Sequence, residues 1–163
     1  MTGFRPAVIL LRDATRDDLP ILYEYQLDPD ATAMAAFPSR DWEAFTAHWS
    51  RILGDGANIT KVVVADGQVA GSIASFEMNG RREVGYWFGR EFWGKGIATR
   101  ALAALLEHDA TRPLHAHVAK HNTGSLRVLQ KCGFVIIGED TSPFGEPGSE
   151  PVEEFVLILR GDN

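Results

Sequence analysis

Residues 89–102 read GREFWGKGIATRAL and place three glycines and a lysine directly before a stretch with helical periodicity. The loop in front of that helix exposes backbone amides at a helix N-terminus, where the helix dipole also favours negative charge. Gly94 and Gly96 let a ligand come close to the backbone, because a glycine has no Cβ. The stretch therefore predicts an anion site, and phosphate is an anion that such a site attracts. The apolar positions of the helix are Ile97, Ala98, Ala101, Leu102, Leu105 and Leu106.

The segments before the loop have the composition of β-strands. Runs at residues 61–65, 68–76 and 82–88 are β-rich, and they are joined by Asp66-Gly67 and Asn79-Gly80. These dipeptides fit tight hairpin turns best. We therefore expect three antiparallel strands in a meander, with an earlier strand at residues 8–12.

After the helix the pattern alternates between strand and helix. Residues 114–119 read as a strand, and a strand, a helix and a strand of this length form a crossover that makes the two strands parallel. Residues 125–132 predict a short helix that ends at Gly133, followed by strands at 134–137 and 153–159. The sheet is therefore expected to be mixed.

Two helices are expected before the meander. Thr15 and Asp18 form a capping-box pattern that opens a helix toward Tyr25, and Ser39 or Asp41 can cap the next helix. The combined pattern predicts an α/β (α+β) fold, with a mixed, mostly antiparallel sheet of about six to seven strands flanked by about four helices. Four residues of the second helix fall on one face and predict core contacts: Trp42, Phe45, Trp49 and Ile52.

Composition limits the class of protein. The 163 residues are 45% apolar and 23% charged, which is typical of a soluble domain, and we expect one domain over residues 1–163. The formal net charge of −6 gives little support for nucleic-acid binding. A single cysteine, Cys132, excludes an internal disulfide and a cysteine-rich metal site. No run is long enough for a signal sequence or a membrane span, so we expect a cytoplasmic protein with no membrane partner.

The glycine loop can be interpreted in more than one way. Gly89, four residues and Gly94-Lys95 match most of the nucleoside-triphosphate loop G-x-x-x-x-G-K-[ST], but Gly96 stands where a hydroxyl would hold Mg²⁺. The strand in front also belongs to an antiparallel meander. A turn without a ligand, in which Lys95 is simply solvated, is the second interpretation.

Three segments support a third interpretation. GYWFG at 85–89, FWGKGIATRAL at 92–102 and HNTGSLRVLQKCGF at 121–134 follow one another at a spacing that resembles the GCN5-related N-acetyltransferase (GNAT) superfamily, in its RimJ/RimL-type branch. The resemblance covers almost the whole chain. The acetyl-CoA loop of the superfamily is Q/R-x-x-G-x-G/A; Gly96 and Ala98 match it, whereas Trp93 departs from Gln or Arg.

The resemblance implies that the anion is the diphosphate of acetyl-CoA, the expected cofactor. It also implies that the strand at 82–88 separates from the strand at 114–119, leaving a slot in which pantetheine pairs with the first strand. A backbone N–H near Trp87 or Phe88 is expected to hold the oxyanion, and Asn122 is expected either to bind the cofactor or to serve as a plain helix cap. The amides expected to bind the diphosphate belong to Gly94, Lys95, Gly96, Ile97, Ala98 and Thr99.

Acetyl transfer requires an amine without its extra proton, and a lysine-type amine titrates near ~10.4. Glu83 is the candidate base, since REVGYW resembles the E-[IV]-G-Y-W pattern of the family. Glu91 and Glu77 are the other carboxylates we consider, and a solvated Glu83 after the hairpin is the alternative. Strand alternation puts Glu83, Gly85 and Trp87 on one face, opposite Val84, Tyr86 and Phe88.

Ser125 is the expected proton donor to the leaving thiolate, because it matches the serine of the family's N-x-x-S. Many relatives have a tyrosine there or nearby, and this helix has none. Ser125 as a cofactor contact, or as an ordinary helix-start residue, stays open. His115 and His117 share a strand face at a spacing able to chelate a metal, but no third ligand is evident, so no metal is expected. Cys132 is expected to pack as a small apolar residue.

The resemblance therefore implies an acetyl-CoA-dependent N-acetyltransferase that acts on a protein N-terminal α-amine or a small-molecule amine by direct attack on the thioester. A non-catalytic acyl-CoA-binding sensor or scaffold is the alternative, and a homodimer is possible. Two segments are expected on the acceptor side, residues 28–40 and the turn-rich loop at 140–151. Their acidic residues, able to attract a cation, are Asp28, Asp30, Glu146 and Glu150.

Overall fold

One twisted sheet forms the centre of the molecule. The computed structural model describes residues 6–142 and 151–161, and within them the sheet has seven strands in the order β1-β2-β3-β4-β5-β7-β6. Neighbouring strands are antiparallel except β4 and β5, which are parallel. The predicted mixed, mostly antiparallel sheet is confirmed. The strands are β1 Ile9–Asp13, β2 Ile59–Ala65, β3 Gln68–Met78, β4 Arg81–Phe88, β5 Leu114–Ala119, β6 Val135–Ser142 and β7 Val152–Leu159.

Five helices flank the sheet in the described residues, one more than the sequence indicated. The additional helix is α2, which is only seven residues long. It begins after Asp28, whose carboxylate accepts from the Asp30 amide at 2.9 Å, and it ends at Ala36 in a left-handed conformation with φ 55°. An N-cap followed by Pro29 was its sequence signal. The helices are α1 Leu19–Gln26, α2 Pro29–Ala35, α3 Trp42–Gly54, α4 Ile97–His108 and α5 Thr123–Lys131.

The central meander forms as predicted. β2, β3 and β4 pair in sequence, and each turn has two residues with positive φ. Asp66 and Gly67 have φ of 48° and 81°, and Asn79 and Gly80 have φ of 53° and 76°. Positive φ at both central positions is the geometry that twisted two-residue hairpins require.

Helices cover both faces of the sheet. α4 and α5 pack on the face that carries Val84, Tyr86 and Phe88, while α1 and α3 pack on the other face over Val62. Phe45 and Trp49 of α3 are buried as predicted. Trp42 is 44% exposed and meets the Tyr23 ring edge-on at 5.1 Å. The prediction that Trp42 lies in the core is wrong, because it occupies the first turn of α3, at the margin of the helix layer.

Two element boundaries differ from the prediction. The capping pattern of Thr15 is present, with its amide donating to Asp18 Oδ2 at 2.9 Å, but it first opens a short 3₁₀ turn at Arg16–Asp18 and α1 follows. β6 extends to Ser142, so residues 140–142 are strand rather than loop. The remaining loop residues, 143–150, which include Glu146 and Glu150, lie outside the described residues.

The parallel pair β4 and β5 is the part of the sheet that positions the site. Its ladder consists of the single pair Glu83↔His115, and beyond it the strands separate. The gap opens toward the C-terminal ends of both strands. None of the helices in the described part of the chain has the length and hydropathy that a membrane crossing requires.

Candidate active site

A cleft of about 480 Å³ lies between the end of β4 and α5, at the end of the sheet where β4 and β5 separate. Its walls come from five elements: α2, the end of β4, the glycine loop, the first turn of α4, and α5. Of the residues expected to bind a cofactor, all but Lys95 line this cleft, and Lys95 is exposed. The predicted residues in the lining are Trp87, Phe88, Gly94, Gly96, Ile97, Ala98, Thr99, Asn122 and Ser125.

The glycine loop presents unpaired amides to the cleft. Gly94 and Gly96 have φ of 73° and 76°, and no heavy atom lies within 4 Å of the place where a Cβ would stand on either residue. Glycine is needed there for the left-handed backbone, which other residues adopt only with strain. The first helical bond of α4 runs from the Arg100 amide to the Gly96 carbonyl at 3.2 Å. No described residue accepts a hydrogen bond from the amides of residues 94–99.

The edge of β4 also offers amides to the cleft. The Gly89 amide donates to the Ala70 carbonyl of β3 at 2.9 Å, continuing the β3–β4 ladder. Alternation in an antiparallel pair then turns the amides of Tyr86 and Phe88 away from β3 and toward the gap. The Trp87 amide points to β3 by the same rule. Of the two amides expected to hold the oxyanion, that of Phe88 faces the cleft.

Trp93 closes one end of the cleft. Its indole Nε1 donates to the Phe88 carbonyl at 3.1 Å, so the side chain is fixed against the last residue of β4. At the position where the family pattern has Gln or Arg, this chain therefore supplies an apolar wall. The Trp93 side chain offers no free polar group to an anion in the loop, so the donors available there are backbone amides.

Two hydroxyl groups meet on the α5 side of the cleft. Tyr86 Oη and Ser125 Oγ are 2.7 Å apart, and Tyr86 Oη also donates to the Ser125 carbonyl at 3.3 Å. Burial raises the pKa of Tyr86 to about 12. A tyrosine of the kind that the family pattern places on α5 is thus supplied by β4 from across the cleft, and it was not predicted from the sequence. Its position on the face opposite Glu83 was the signal that could have identified it.

Asn122 caps the helix that carries Ser125. Its Oδ1 accepts from the Ser125 amide at 3.1 Å, so the side chain fixes the first turn of α5. Both residues still line the cleft. The cap and a cofactor contact are therefore compatible, because Asn122 retains its side-chain NH₂ group as a donor.

Glu83 and His117 form a pair near the last β4–β5 contact. Glu83 is 2% exposed, and its Oε1 lies 2.7 Å from His117 Nδ1. The hydrogen bond to Glu83 raises the pKa of His117 against the opposing effect of burial, and the charges of Glu154 and Asp140 raise it further. Burial raises the pKa of Glu154. Neither Glu83 nor His117 is part of the cleft lining, and the direct contact of the Glu83 carboxylate is the His117 imidazole.

The other groups weighed in the sequence analysis lie elsewhere. Glu77 is 3.9 Å from Arg82 at the hairpin, and Glu91 is exposed in the turn Arg90–Phe92. Within residues 6–142 and 151–161, no group of three His, Cys, Asp or Glu side chains is arranged to hold a metal. Cys132 contacts the Thr99 carbonyl at 3.5 Å, and burial raises the pKa of its thiol, which keeps it protonated.

α2 crosses the mouth of the cleft and is anchored at both sides. Arg90, after β4, binds both oxygens of Asp28 at 2.8 and 2.7 Å and Asp30 at 2.6 Å. His121, after β5, places Nε2 2.9 Å from the Ala33 carbonyl. The sequence indicated that Asp28 and Asp30 could attract a cation. In the structure both carboxylates pair with the single guanidinium of Arg90, and these ion pairs hold α2 against the segment after β4.

Comparison with known proteins shows three similarities. The sequence profile of the Acetyltransferase (GNAT) domain matches residues 9–135. An uncharacterized N-acetyltransferase p20 from Bacillus licheniformis is 30% identical over 139 residues, which covers 77% of this chain and 78% of the relative. Two solved structures share the fold at lower identity.

The first of these structures is a spermidine N-acetyltransferase from Vibrio cholerae in complex with CoA and spermine. It has a TM-score of 0.78 and 20% identity, over 93% of this chain and 95% of that one. The second is a ribosomal-protein-alanine N-acetyltransferase from Brucella melitensis, with a TM-score of 0.77 and 23% identity, over 93% and 99% of the chains.

Proposed function

The chain belongs to the GNAT acetyltransferase family, a class of acetyl-CoA-dependent acyltransferases, and from that premise we propose that it acetylates a primary amine by direct attack on the thioester. One observation supports the proposal above the others. The unpaired amides of residues 94–99 stand at the wall of a cleft that the separation of β4 and β5 creates. A diphosphate matches these donors in charge and in the number of acceptor oxygens.

We assign the cofactor contacts to both sides of the cleft. The amides from Gly94 to Thr99 bind the diphosphate, with the dipole of α4 behind them. The free edge of β4 at Tyr86 pairs with the amide groups of pantetheine, which leaves the Phe88 amide for the thioester carbonyl. Asn122 and Ser125 contact the same arm from α5. This arrangement directs the thioester toward the last β4–β5 pair, where Glu83 and the two hydroxyl groups lie.

The groups that stabilise charge on the reacting thioester are already held in position by the fold. The Phe88 amide faces the cleft and donates to the carbonyl oxygen as it gains negative charge. Ser125 Oγ protonates the departing sulfur and recovers its proton from Tyr86 Oη, 2.7 Å away. Because the pKa of Tyr86 is raised to about 12, this donor is protonated at neutral pH. The proton of the amine is removed at the pair formed by Glu83, the carboxylate of the family pattern, and His117, which lies 2.7 Å from it.

The acceptor we propose is a primary amine, either a protein N-terminal α-amine or a small-molecule amine. Structures with this fold include a spermidine N-acetyltransferase and a ribosomal-protein-alanine N-acetyltransferase, which represent these two classes. The acceptor enters past α2, whose Ala31, Met34 and Ala35 line the cleft.

Binding and turnover are tested separately. Acetyl-CoA at one hundred times its Kd should stabilise the folded protein by roughly 2.7 kcal/mol, and ATP and NAD should give no comparable rise in Tm. Free thiol is then followed with acetyl-CoA and a panel that includes spermidine, lysine and an alanine-terminated peptide. Thiol release that depends on the amine supports the transferase. Binding without release across the panel would instead indicate an acyl-CoA sensor.

A further inference from the structure

The pair formed by Glu83 and His117 differs from an isolated catalytic carboxylate. We infer that His117 is the catalytic base that contacts the acceptor amine, and that Glu83 is a positioning residue that acts through it. This inference rests on the proposed acetyl transfer and assigns its proton-accepting step. It reverses the roles that the sequence pattern alone favours, in which Glu83 would contact the amine.

Access separates the two side chains. Glu83 is 2% exposed and its carboxylate lies against His117 Nδ1, whereas the His117 side chain is 23% exposed. A carboxylate at Nδ1 holds the proton on that nitrogen and leaves the lone pair of the neutral ring on Nε2. In the part of the chain that the structure describes, nothing hydrogen-bonds Nε2 of His117. Nε2 is therefore the basic atom that an acceptor can reach.

His117 also lies where β4 and β5 separate, on the face of the sheet that carries Glu83. His115 forms the last pair with Glu83, and His117 follows on the same face of β5, where the strands have begun to separate. Tyr86 and Ser125 occupy the opposite face, beneath α4 and α5. An amine that attacks the thioester from the face of His117 leaves the opposite face free. On that face Tyr86 and Ser125 can protonate the sulfur.

Carboxylates surround the base on this face. Besides Glu83 on β4, the groups whose charges act on His117 are Glu154 on β7 and Asp140 on β6, which are paired in register. Glu154 also pairs with Ala119, two residues after His117, so it shares the same face. An amine that arrives as an ammonium ion is attracted by these carboxylates. The acidic surroundings therefore suit a cationic acceptor, which must lose a proton before it can attack.

The acceptor ammonium loses two protons in the reaction. His117 Nε2 takes one proton from the ammonium and releases it to solvent. The free amine nitrogen then forms a bond to the thioester carbonyl carbon, and Nε2 accepts the second proton from the adduct while Nδ1–H remains bonded to Glu83. The C–S bond breaks with its electron pair on sulfur, which takes a proton from the hydroxyl pair. Nε2 then gives this second proton to solvent, and the hydroxyl pair regains one proton from solvent. The products are the amide, the CoA thiol and a net one proton released to solvent.

The test is the pH dependence of kcat/KM with whichever amines of the panel are acetylated. We expect His117→Gln to lower kcat/KM by about 10² or more, the range of general base catalysis, and to remove the rise of activity with pH. Its KM for acetyl-CoA should stay within about twofold, because the diphosphate site is separate. Glu83→Gln should keep the rise but move it to lower pH, because the hydrogen bond that His117 donates to the Glu83 carboxylate raises the pKa of His117.

Controls decide among the alternatives. His108→Gln, at the exposed end of α4, is the matched substitution that should leave the profile unchanged. In the wild-type protein, the titration of the His117 ring measured by NMR should coincide with the kinetic rise, which tests the base without any variant. A mismatch, or a His117→Gln enzyme that keeps both rate and pH rise, would overturn the inference while the transferase stands. A wild-type protein that binds acetyl-CoA but acetylates no amine would overturn both.

Discussion

Replacing Tyr86 by phenylalanine removes one oxygen atom from the hydroxyl pair and keeps the ring. The ring packs between the core and the cleft, so the shape of the site is retained. The folded protein loses the hydrogen bond to Ser125 Oγ, which is 2.7 Å long, and we expect a loss of about 1 kcal/mol in the free energy of unfolding. Ser125 keeps its own hydroxyl but has no tyrosine from which to recover a proton.

The expected effect on catalysis follows from the leaving group. General acid catalysis contributes about 10² to 10⁴ in rate, and a thiol with a pKa near ~8.5 leaves readily enough to favour the lower end. We therefore expect kcat to fall by about 10², equivalent to ~2.7 kcal/mol of transition-state stabilisation. Because the pKa of Tyr86 is raised to about 12, the wild-type enzyme should show no loss of activity in weakly alkaline buffer from titration of this group.

The assay is thiol release from acetyl-CoA at saturating amine, with Ser125→Ala and the double variant measured beside Tyr86→Phe. If the two hydroxyl groups act in series, the double variant should be no slower than the slower single variant, because each breaks the same relay. Tyr23→Phe is the matched control, since Tyr23 packs against Trp42 and Phe45 away from the cleft. Tyr86→Phe with kcat within twofold of wild type, or fully additive losses, would refute the relay.

Three further predictions address binding, the α2 anchor and acid stability. Gly96→Ala should lower the affinity for acetyl-CoA in a thermal-shift titration and destabilise the loop by about 1 kcal/mol, because φ is 76° there. Lys95→Ala, at the exposed neighbouring residue, is the control. Equal effects from both substitutions would count against the amide site. Arg90→Ala should raise the KM for the amine with little change in Tm, since α2 loses its ion pairs to Asp28 and Asp30; an unchanged KM would show that α2 is held by other contacts. Burial, reinforced by Arg40 and Arg51, lowers the pKa of His48 to about 4. The unfolded chain, with a value near ~6.5, then binds the proton more readily, so stability should decline as pH falls between these values. His48→Gln should flatten that decline in Tm, and an unaltered slope would assign it to other groups.

The sequence predicted the parts of the fold that local chemistry determines. Asp66-Gly67 and Asn79-Gly80 adopt positive φ in almost any context, so both hairpins were recognisable. α2 was missed because a seven-residue helix has too few turns to show periodicity, and its ends depend on the single cap at Asp28. Trp42 fits the apolar pattern of α3, but the pattern does not show where the helix layer ends.

The contacts within the candidate site were harder to predict from the sequence, because each side-chain pair joins residues that are far apart in the chain. Tyr86 and Ser125 are 39 residues apart, and Glu83 and His117 are 34 apart. Alternation along β4 gave the correct face of each side chain, yet the partner on that face depends on how β5 and α5 return to the cleft. Sequence could therefore indicate residue types for the chemistry, and only the fold shows which of them meet.

Because β4 and β5 separate, the pairs Glu83–His117 and Tyr86–Ser125 can act on one thioester in the proposed mechanism. Glu83 and Tyr86 are three residues apart on one strand, and an odd spacing puts them on opposite faces of the sheet. In a continuous sheet the two would be isolated from each other by backbone, because every gap between strands is closed by hydrogen bonds. Opening the sheet beyond Glu83↔His115 lets a single thioester be reached from both faces. In the proposed mechanism the amine loses its protons to His117 on one face while the sulfur gains one from the hydroxyl pair on the other. Because these groups do not share a face, the attacking amine and the departing sulfur are each reached from a separate side of the thioester.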